Sequence, residues 1–248
     1  MSGHSHWARI KHKKGVTDSR RGKLWSKLAR NIIVAARAGG GDPSMNLSLR
    51  YCIDKAKEAN MPNDTIDRAI KRGTGDLDGA SFEEITYEGY GPNGVAIMVV
   101  ALTDNRNRTA PEIRKIFEHR GGSLGGPGSV SWMFEKRGVI TVSAADATEE
   151  QLMEATLEAG AEDIREQDTV FEIHCPPTEF ENVKKALADA GIAVQSADLT
   201  MLPQTTVALE GEAAKKMLDM MELFEDHDDV QNVYANFDIP EELIAESE

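Results

Sequence analysis

The sequence predicts an α+β protein with an N-terminal three-helix domain and two ferredoxin-like α/β sandwich domains, one inserted in the other. Up to residue 72 the apolar residues recur at helical spacing, and beyond residue 82 strand-like and helix-like patterns alternate. The charge changes sign at the same place. Residues 1–72 contain 16 basic and 6 acidic residues, whereas the remainder contains 12 basic and 36 acidic. Residues 138–202 alone contain a complete βαββαβ order, as in a ferredoxin-like sandwich.

The first predicted helix follows a polar arm, residues 1–15. It begins at Thr17 or Asp18, either of which can cap its free N–H groups, and it ends at the glycines of residues 39–41. At 100° per residue the helix has two opposed stripes: Leu24, Leu28, Ile32 and Ala35 on one, and Lys23, Lys27, Arg30 and Arg37 on the other. We therefore expect one packed face and one cationic face.

Two shorter helices complete the predicted helical domain, residues 1–75. Their apolar positions recur at helical spacing: Leu49, Cys52, Ile53 and Ala56 in one, and Ile66, Ala69 and Ile70 in the other. The sequence Asn-Met-Pro at 60–62 stops the first of them. Asn63 or Asp64 is predicted to cap the other, which ends at Gly73. Residues 73–81 have the composition of a linker.

Two separated pieces, 82–135 and 204–238, are predicted to form one α/β domain. The first holds strands at 85–90 and 95–102 joined by a Gly-Pro-Asn-Gly turn, a helix from 109 to 120 capped by Thr109, and a strand at 129–134. The second holds a strand at 205–209, a helix at 213–224 and a strand at 230–234. The first piece holds too few elements to bury a two-layer core, and the second supplies the missing βαβ half. The alternative is two independent small domains.

Residues 136–203 are accordingly predicted to be an inserted ferredoxin-like domain. Its predicted elements are strands at 139–142, 163–166, 170–174 and 193–201, and helices at 149–159 and 179–190.

The composition is that of an ordinary globular protein, with 40% hydrophobic and 28% charged residues. No run of about 18 uninterrupted apolar residues is present, which excludes a membrane-spanning helix. The N-terminus lacks the apolar core of a secretory signal. Two cysteines, Cys52 and Cys175, provide no disulfide framework and fit a reducing interior. We expect a cytoplasmic protein.

The basic N-terminal stretch predicts a surface for a polyanion, because the whole protein has a net charge of −14. Flexible Lys and Arg neutralise phosphates and release counterions, and Trp7 or a histidine can stack on a base. The alternative is a solvated amphipathic helix whose charge keeps the protein soluble. The candidate nucleic-acid-binding residues in this stretch are His4, Trp7, Arg9, Lys11, His12, Lys13, Lys14, Arg20, Arg21, Lys23, Lys27, Arg30 and Arg37.

A polar loop at 104–109, Asp-Asn-Arg-Asn-Arg-Thr, adds Arg106 and Arg108 to the candidates. It follows a predicted strand and leads into a helix. The two arginines either contact phosphate or a ribosomal partner, or pair with nearby acids such as Glu112. The residues leave both readings open.

No catalytic, cofactor or metal site is predicted. His4, His6 and His12 with Cys52 lack the paired spacing of zinc ligands. Gly89, Gly91 and Gly94 match a dinucleotide fingerprint in spacing only, because a strand follows where a helix is needed. No arrangement of nucleophile, base and orienting group is visible, so we predict a non-enzymatic protein. The acid pairs at 83–84 and 228–229 are predicted to be solvated edges.

Several motifs at fixed mutual spacing resemble the YebC family: Gly3-His-Ser-x-Trp7, Gly39-Gly-Gly-Asp-Pro43, Tyr87-Glu-Gly-Tyr-Gly-Pro92, Asp104-Asn-Arg-Asn-Arg-Thr109, Gly121-Gly-Ser-Leu-Gly125 and Leu157-Glu-Ala-Gly-Ala-Glu-Asp163. That family includes bacterial proteins described as transcriptional regulators and the mitochondrial translational activator of cytochrome oxidase subunit one. The resemblance implies a helical domain and two α/β domains, one inserted in the other.

The resemblance implies a DNA-binding transcriptional regulator, with a ribosome-associated translation factor that activates translation or relieves stalling as the alternative. A groove reader normally aims Asn, Gln or Arg at base edges. The first helix offers mostly Lys and Arg, which position a protein on phosphates without reading sequence. The expected partner is therefore DNA or ribosomal RNA.

Overall fold

The computed structural model describes residues 18–78, 81–167 and 169–240, without the side chains of residues 18–20. The chain divides into two compact units, Met1–Ser131 with Thr205–Glu248, and Trp132–Gln204. The helices are α1 (Asp18–Gly39), α2 (Leu47–Glu58), α3 (Asn63–Thr74), α4 (Arg106–His119), α5 (Glu149–Thr156), α6 (Phe180–Asp189) and α7 (Gly211–Asp226). The strands are β1 (Glu83–Tyr90), β2 (Ala96–Thr103), β3 (Ser123–Leu124), β4 (Phe134–Ser143), β5 (Asp163–Gln167), β6 (Val170–Cys175), β7 (Val194–Pro203), β8 (Val207–Ala208), β9 (Val230–Ala235) and β10 (Phe237–Asp238).

Helices α1, α2 and α3 pack around a common apolar core, as the periodicity predicts. The core residues include Ile32, Ile33, Ala36, Leu49, Ile53, Ala56, Ile66 and Ala69. Leu24, predicted on the packed stripe, is instead 39% exposed. The turn between α1 and α2 is organised by the buried Asn46. Its Oδ1 caps α2 by accepting from Leu49 N–H, and its Nδ2 donates to the carbonyls of Ala35 and Gly40 at the end of α1.

The first sheet has the strand order β3-β1-β2-β9, with antiparallel neighbours throughout. Strands β1 and β2 form the predicted hairpin, in register from Glu83 opposite Thr103 to Tyr90 opposite Ala96. Helices α4 and α7 pack together over the core of this sheet. The rings of Phe117 and Phe224 meet edge to face with their centroids 4.9 Å apart.

This sheet has the spatial order of a ferredoxin-like sandwich with a different chain order. A ferredoxin-like sheet places its strands 4-1-3-2, and β9, β2, β1 and β3 take those places here. The strand in third place, β1, comes first in the chain. The two-stranded sheet of β8 and β10 is separate and parallel, so the predicted strand at 205–209 is only two residues long and lies outside the main sheet.

The second unit holds β4, α5, β5, β6, α6 and β7 in the predicted βαββαβ order. Its sheet order is β5-β6-β4-β7, all antiparallel, which is the ferredoxin-like arrangement. Its fully buried side chains include Ile140, Leu152, Ile173, Val183 and Leu187. The fold class predicted from the sequence is confirmed.

Three local predictions were wrong. Residues 131–133 form a 3₁₀ turn and Phe134 opens β4, so no strand runs from 129 to 134. The N–H groups of Gly128, Val130 and Ser131 donate to the Glu88 carboxylate, which takes them away from any strand ladder. Helix α4 begins at Arg106 with Asn105 as its cap, three residues before the predicted start. Pro62, not Asn63 or Asp64, is the N-cap residue of α3.

Candidate nucleic-acid interface

The predicted binding residues of the arm lie outside the described residues. These are His4, Trp7, Arg9, Lys11, His12, Lys13 and Lys14, together with His6 of the rejected metal set. Arg20 lies in the first turn of α1, and its side chain is also outside the described part. The arm's contribution therefore stays a prediction.

Helix α1 displays its remaining predicted cations in two groups. Arg21 and Arg37 are exposed. The guanidinium of Arg37 donates to the Ser81 hydroxyl, with 2.6 Å between Nη1 and Oγ. Lys23, Lys27 and Arg30 form the second group and face another part of the same unit.

That second group contacts a segment that we call the acidic loop, residues 225–229 (Glu-Asp-His-Asp-Asp), which comprises the last two residues of α7 and the three that follow. Lys23 donates to the carbonyl of Asp226 at 3.3 Å, and its Nζ lies 3.8 Å from the Asp226 carboxylate. Lys27 donates to the carbonyl of Glu225 at 2.5 Å. Because α7 ends at Asp226, these lysines sit at the C-terminal end of that helix, where the backbone dipole favours cations.

Arg30 makes the deepest of these contacts. Its guanidinium donates to the carbonyl of Asp228 and lies 3.3 Å from the Asp229 carboxylate. The same guanidinium lies over the Phe82 ring, 5.6 Å from the centroid, in a cation–π arrangement. Only 20% of the Arg30 side chain is exposed. The cationic stripe predicted from sequence is therefore partly covered within the molecule.

Asp229 is the polar centre of this region. It is 2% exposed, so the prediction of a solvated edge at 228–229 is wrong for this residue. Its Oδ2 accepts from Arg108 Nη2 and from Thr109 Oγ1, each at 2.7 Å. Burial raises the pKa of Asp229, but the hydrogen bonds and charge of Arg108, with Thr109 and Arg30, outweigh it, so the pKa lies below its ordinary value.

The loop at 104–109 is thus tied to the acidic loop. Arg108 also pairs with Asp104 at 3.1 Å, whereas Glu112, the partner suggested from sequence, contacts His227 instead. His227 Nδ1 accepts from the Asp229 N–H at 3.1 Å, so the ring proton resides on Nε2, which donates to Glu112. Arg106 is exposed in the first turn of α4.

An open cleft of about 710 Å³ runs between α1, α4 and the acidic loop. Side chains of both charges line the cleft. The basic ones are Lys23, Arg30, Arg108 and Lys115, and the acidic ones are Asp104, Glu112, Asp226, Asp228 and Asp229. The sequence pattern brought the lysines and arginines to attention. It did not reveal the acids that meet them, because those acids lie about 200 residues further along the chain.

Neither a metal site nor a membrane span emerges from the part of the chain that the structure describes. No cluster of three or more His, Cys, Asp or Glu side chains there is arranged to hold a metal ion. None of the helices described is both long and apolar enough to cross a bilayer.

Two family models match nearly the whole chain. The model of the TACO1/YebC N-terminal domain matches residues 5–76, and that of the TACO1/YebC second and third domain matches residues 82–237. The chain belongs to the TACO1/YebC family.

Relatives align along their full length. A probable transcriptional regulatory protein of Natranaerobius thermophilus is 56% identical over 98% of this chain and 99% of its own. One of Maridesulfovibrio salexigens is 53% identical over the whole of both chains. Among solved structures, a conserved hypothetical protein from Aquifex aeolicus is 50% identical, with a TM-score of 0.83 over 95% of this chain and 97% of that one.

Proposed function

We propose that this TACO1/YebC protein is a non-enzymatic regulator of gene expression that binds the phosphate backbone of nucleic acid through its N-terminal domain. The observation that carries the proposal is the segregation of charge: 16 basic and 6 acidic residues in 1–72, against 12 basic and 36 acidic in the rest. A basic domain on an acidic molecule concentrates the attraction for a polyanion on one side and repels it elsewhere. The names of the bacterial relatives, probable transcriptional regulatory proteins, support DNA as the partner.

A ribosome-associated translation factor is the second candidate, and the side chains of α1 favour it. The helix offers lysine and arginine rather than a row of amides, and such cations hold phosphates without distinguishing bases. A partner recognised by backbone and shape, such as folded ribosomal RNA, needs no more than that.

The first test reverses three charges of the arm. In the variant K11E/K13E/K14E, fluorescence anisotropy with a 20-base-pair DNA duplex and a 20-nucleotide RNA should show affinity reduced about a hundredfold or more at low salt, since each lost phosphate contact removes about one unit of salt slope. The matched control K184E/K185E/K216E changes the net charge equally, outside the basic domain. Equal losses in both variants would show a general charge effect and contradict the proposed surface.

The second test separates the two candidates. Lysate is sedimented through sucrose with and without ribonuclease, and the protein is followed by immunoblot. Cosedimentation with ribosomes that is lost in the arm variant supports the translation factor. Migration away from ribosomes, combined with duplex binding that the same variant loses, supports the transcriptional regulator.

A further inference from the structure

The acidic loop 225–229 presents oxygen atoms and negative charge to the cations of α1, as a phosphate backbone would. Four of its five residues are acidic, and three cations of α1, at positions 23, 27 and 30, lie against it. Each of the three also donates to a carbonyl of the loop, so carbonyl oxygens and carboxylates occupy the donors together. A phosphate that approaches Lys27 or Arg30 has to displace them.

The two sides of this contact differ in strength. On its own side the loop is anchored by Asp229, which is buried and accepts from Arg108 and Thr109, and by His227, which bridges to Glu112. On the other side Lys23 and Asp226 are 46% and 57% exposed. Exposed pairs of this kind contribute little individually and weaken with salt, whereas a buried hydrogen-bonded carboxylate is expensive to break. Arg30 is the exception on the α1 side, because it is only 20% exposed and lies 3.3 Å from the buried Asp229 carboxylate. Asp229 keeps its hydrogen bonds from Arg108 and Thr109 when Arg30 leaves, so the two surfaces separate at the α1 contact.

We propose that the acidic loop is an autoinhibitory competitor that masks Lys23, Lys27 and Arg30 until a nucleic-acid backbone displaces it. This inference rests on the proposed function, because it assigns a regulated state to the same basic surface. In the masked state the cations at 23, 27 and 30 are occupied, and full contact along α1 requires the loop to leave.

The variant D226K/D228K tests the mask directly. Both side chains are exposed, and a lysine at the end of α7 is favourable to that helix, so the substitutions leave the fold intact while they repel Lys23 and Arg30. The variant E150K/E154K on α5 changes the net charge equally at exposed positions and serves as the control. Circular dichroism of all three proteins confirms equal folding.

The first measurement needs no nucleic acid. Pulsed acetylation of amines with mass spectrometry compares Lys27 with the exposed Lys57 of the same helical domain. At low salt Lys27 should react several-fold more slowly than Lys57 in the parent and in E150K/E154K, and at the rate of Lys57 in D226K/D228K. Equal rates in the parent protein overturn the mask, whatever the protein binds.

The second measurement is nucleic-acid affinity against salt, with the same 20-base-pair duplex and 20-nucleotide RNA. D226K/D228K should bind about tenfold more tightly than E150K/E154K, since a few exposed ion contacts no longer have to be broken. Its dependence on salt should be steeper by one to three phosphate equivalents, each about 0.7 to 0.9 units of slope. In the parent protein, displacement of the loop frees its carboxylates, which then bind cations from solution. This uptake offsets part of the cation release from the phosphates, so the parent's affinity depends less steeply on salt.

The outcomes separate this inference from the proposed function. If all three proteins bind with the same affinity and slope while Lys27 becomes reactive in D226K/D228K, the loop does not compete and the inference fails, but the proposed function stands. If none of them binds either probe, the proposed function fails and the competitor role fails with it. Tighter binding with a steeper slope in D226K/D228K alone supports both.

Discussion

At the scale of single residues, two buried carboxylates organise the first unit. Asp229 joins α1, α4 and the acidic loop, because it meets Arg30, Arg108 and Thr109 at once. Thr109 extends this network inward, with its hydroxyl 2.7 Å from that of Thr103, which in turn accepts from Asn105 N–H. The Asp229 carboxylate and the hydroxyls of Thr109 and Thr103 each have a hydrogen-bond partner, the condition under which a buried network stabilises a fold.

Replacement of Asp229 by Asn should lower the free energy of unfolding by about 3 kcal/mol, because it removes one member of a largely buried ion pair and leaves donors without an anion. Urea denaturation followed by circular dichroism measures the loss. D228N is the matched control, since Asp228 is exposed, and should stay within about 0.5 kcal/mol of the parent. Equal effects of the two substitutions would contradict the role given to Asp229.

The contribution of Asp229 should also depend on pH. Its pKa is lowered in the folded protein, so the folded state holds the carboxylate ionised where the unfolded chain begins to protonate. The stabilisation is fully present above the unfolded pKa of about 3.9 and is lost as pH falls through the lower folded value. Unfolding measured from pH 7 to pH 3 should therefore show the gap between parent and D229N narrowing only below about pH 4. A gap that stays constant down to pH 3 would contradict a lowered folded pKa, because the unfolded carboxyl takes up its proton below about pH 4. A gap that closes near pH 6 would exclude this carboxylate as its source.

Glu88 holds the segment that leads out of the first unit. Its carboxylate accepts from the N–H groups of Gly128, Val130 and Ser131 at 2.7 to 2.8 Å. Burial raises the pKa of Glu88, but the three backbone donors lower it by more than burial raises it. The pKa of Glu88 therefore lies below its ordinary value.

In the variant E88Q the amide NH₂ should oppose one of these N–H groups, with a loss of about 2 kcal/mol in the free energy of unfolding. Thermal or urea unfolding measures it. E84Q lies on the same strand at an exposed position and should change stability by less than about 0.5 kcal/mol. Amide hydrogen exchange should become faster at residues 128–131 in E88Q alone. An unchanged exchange rate there would contradict the role given to the Glu88 carboxylate.

At the scale of elements, hydrophobic periodicity was sufficient to predict most helices and strands, and side chains from distant segments account for the exceptions. The wrong strand at 129–134 arose because Glu88, some 40 residues earlier, takes the backbone donors. Thr109 has the residue type of a helix cap, but its hydroxyl donates to Asp229, 120 residues away. Asn105 caps the helix instead, by accepting from the Arg108 N–H. A single sequence carries no local signal for partners at such separations.

The packing of α1 against α3 was predictable in kind, since both helices have apolar faces, but its closeness was not. A Cβ added at Gly73 would lie 2.6 Å from both the Cβ of Ala36 and the carbonyl oxygen of Ile33. This glycine therefore sets the distance between the two helices.

G73A should destabilise the protein by about 2 kcal/mol or more, because the backbone of α1 has to shift to admit the methyl group. Gly22 in α1 supplies the matched control, since nothing lies within 4 Å of its added Cβ. G22A should stabilise the protein by about 0.5 to 1 kcal/mol through the helix propensity of alanine. Differential scanning calorimetry compares the two, and a shift of the same sign in both would remove the packing explanation.

At the scale of the whole molecule, the distribution of charge drew attention to the basic residues of 1–72 but did not predict the contacts that these cations make. The stripe at Lys23, Lys27 and Arg30 was predicted to face solvent, and it meets acids that only folding brings near. Conversely, the acid pair at 228–229 was predicted to be a solvated edge, because its partner on α1, Arg30, lies about 200 residues earlier. Opposite charges that lie far apart in the sequence each look like an unpaired run in a local count, so composition does not reveal that they meet.

The division of the chain also makes a prediction about cooperativity. Every strand of the unit Trp132–Gln204 finds its neighbours inside that unit, from Phe134 opposite Pro203 to Gln167 opposite Val170. The core of the first sheet, in contrast, draws on both sides of the insertion, since Phe117 meets Phe224 and β2 pairs with β9.

The fragment 132–204 should therefore fold alone, with a single cooperative urea transition and an m-value of about 1 kcal/mol/M. The fragment 82–131 is the control and should show no cooperative transition, because without 205–240 it lacks α7 and β9 and leaves the apolar faces of Ile97 and Val99 without a layer to cover them. Circular dichroism and the dispersion of amide proton resonances measure both. If 132–204 remains unfolded, its sheet depends on the rest of the chain and the insertion is not an autonomous domain. If 82–131 folds alone, the first unit does not need its second piece, and the reasoning that joins 82–131 to 205–240 through a shared core is wrong.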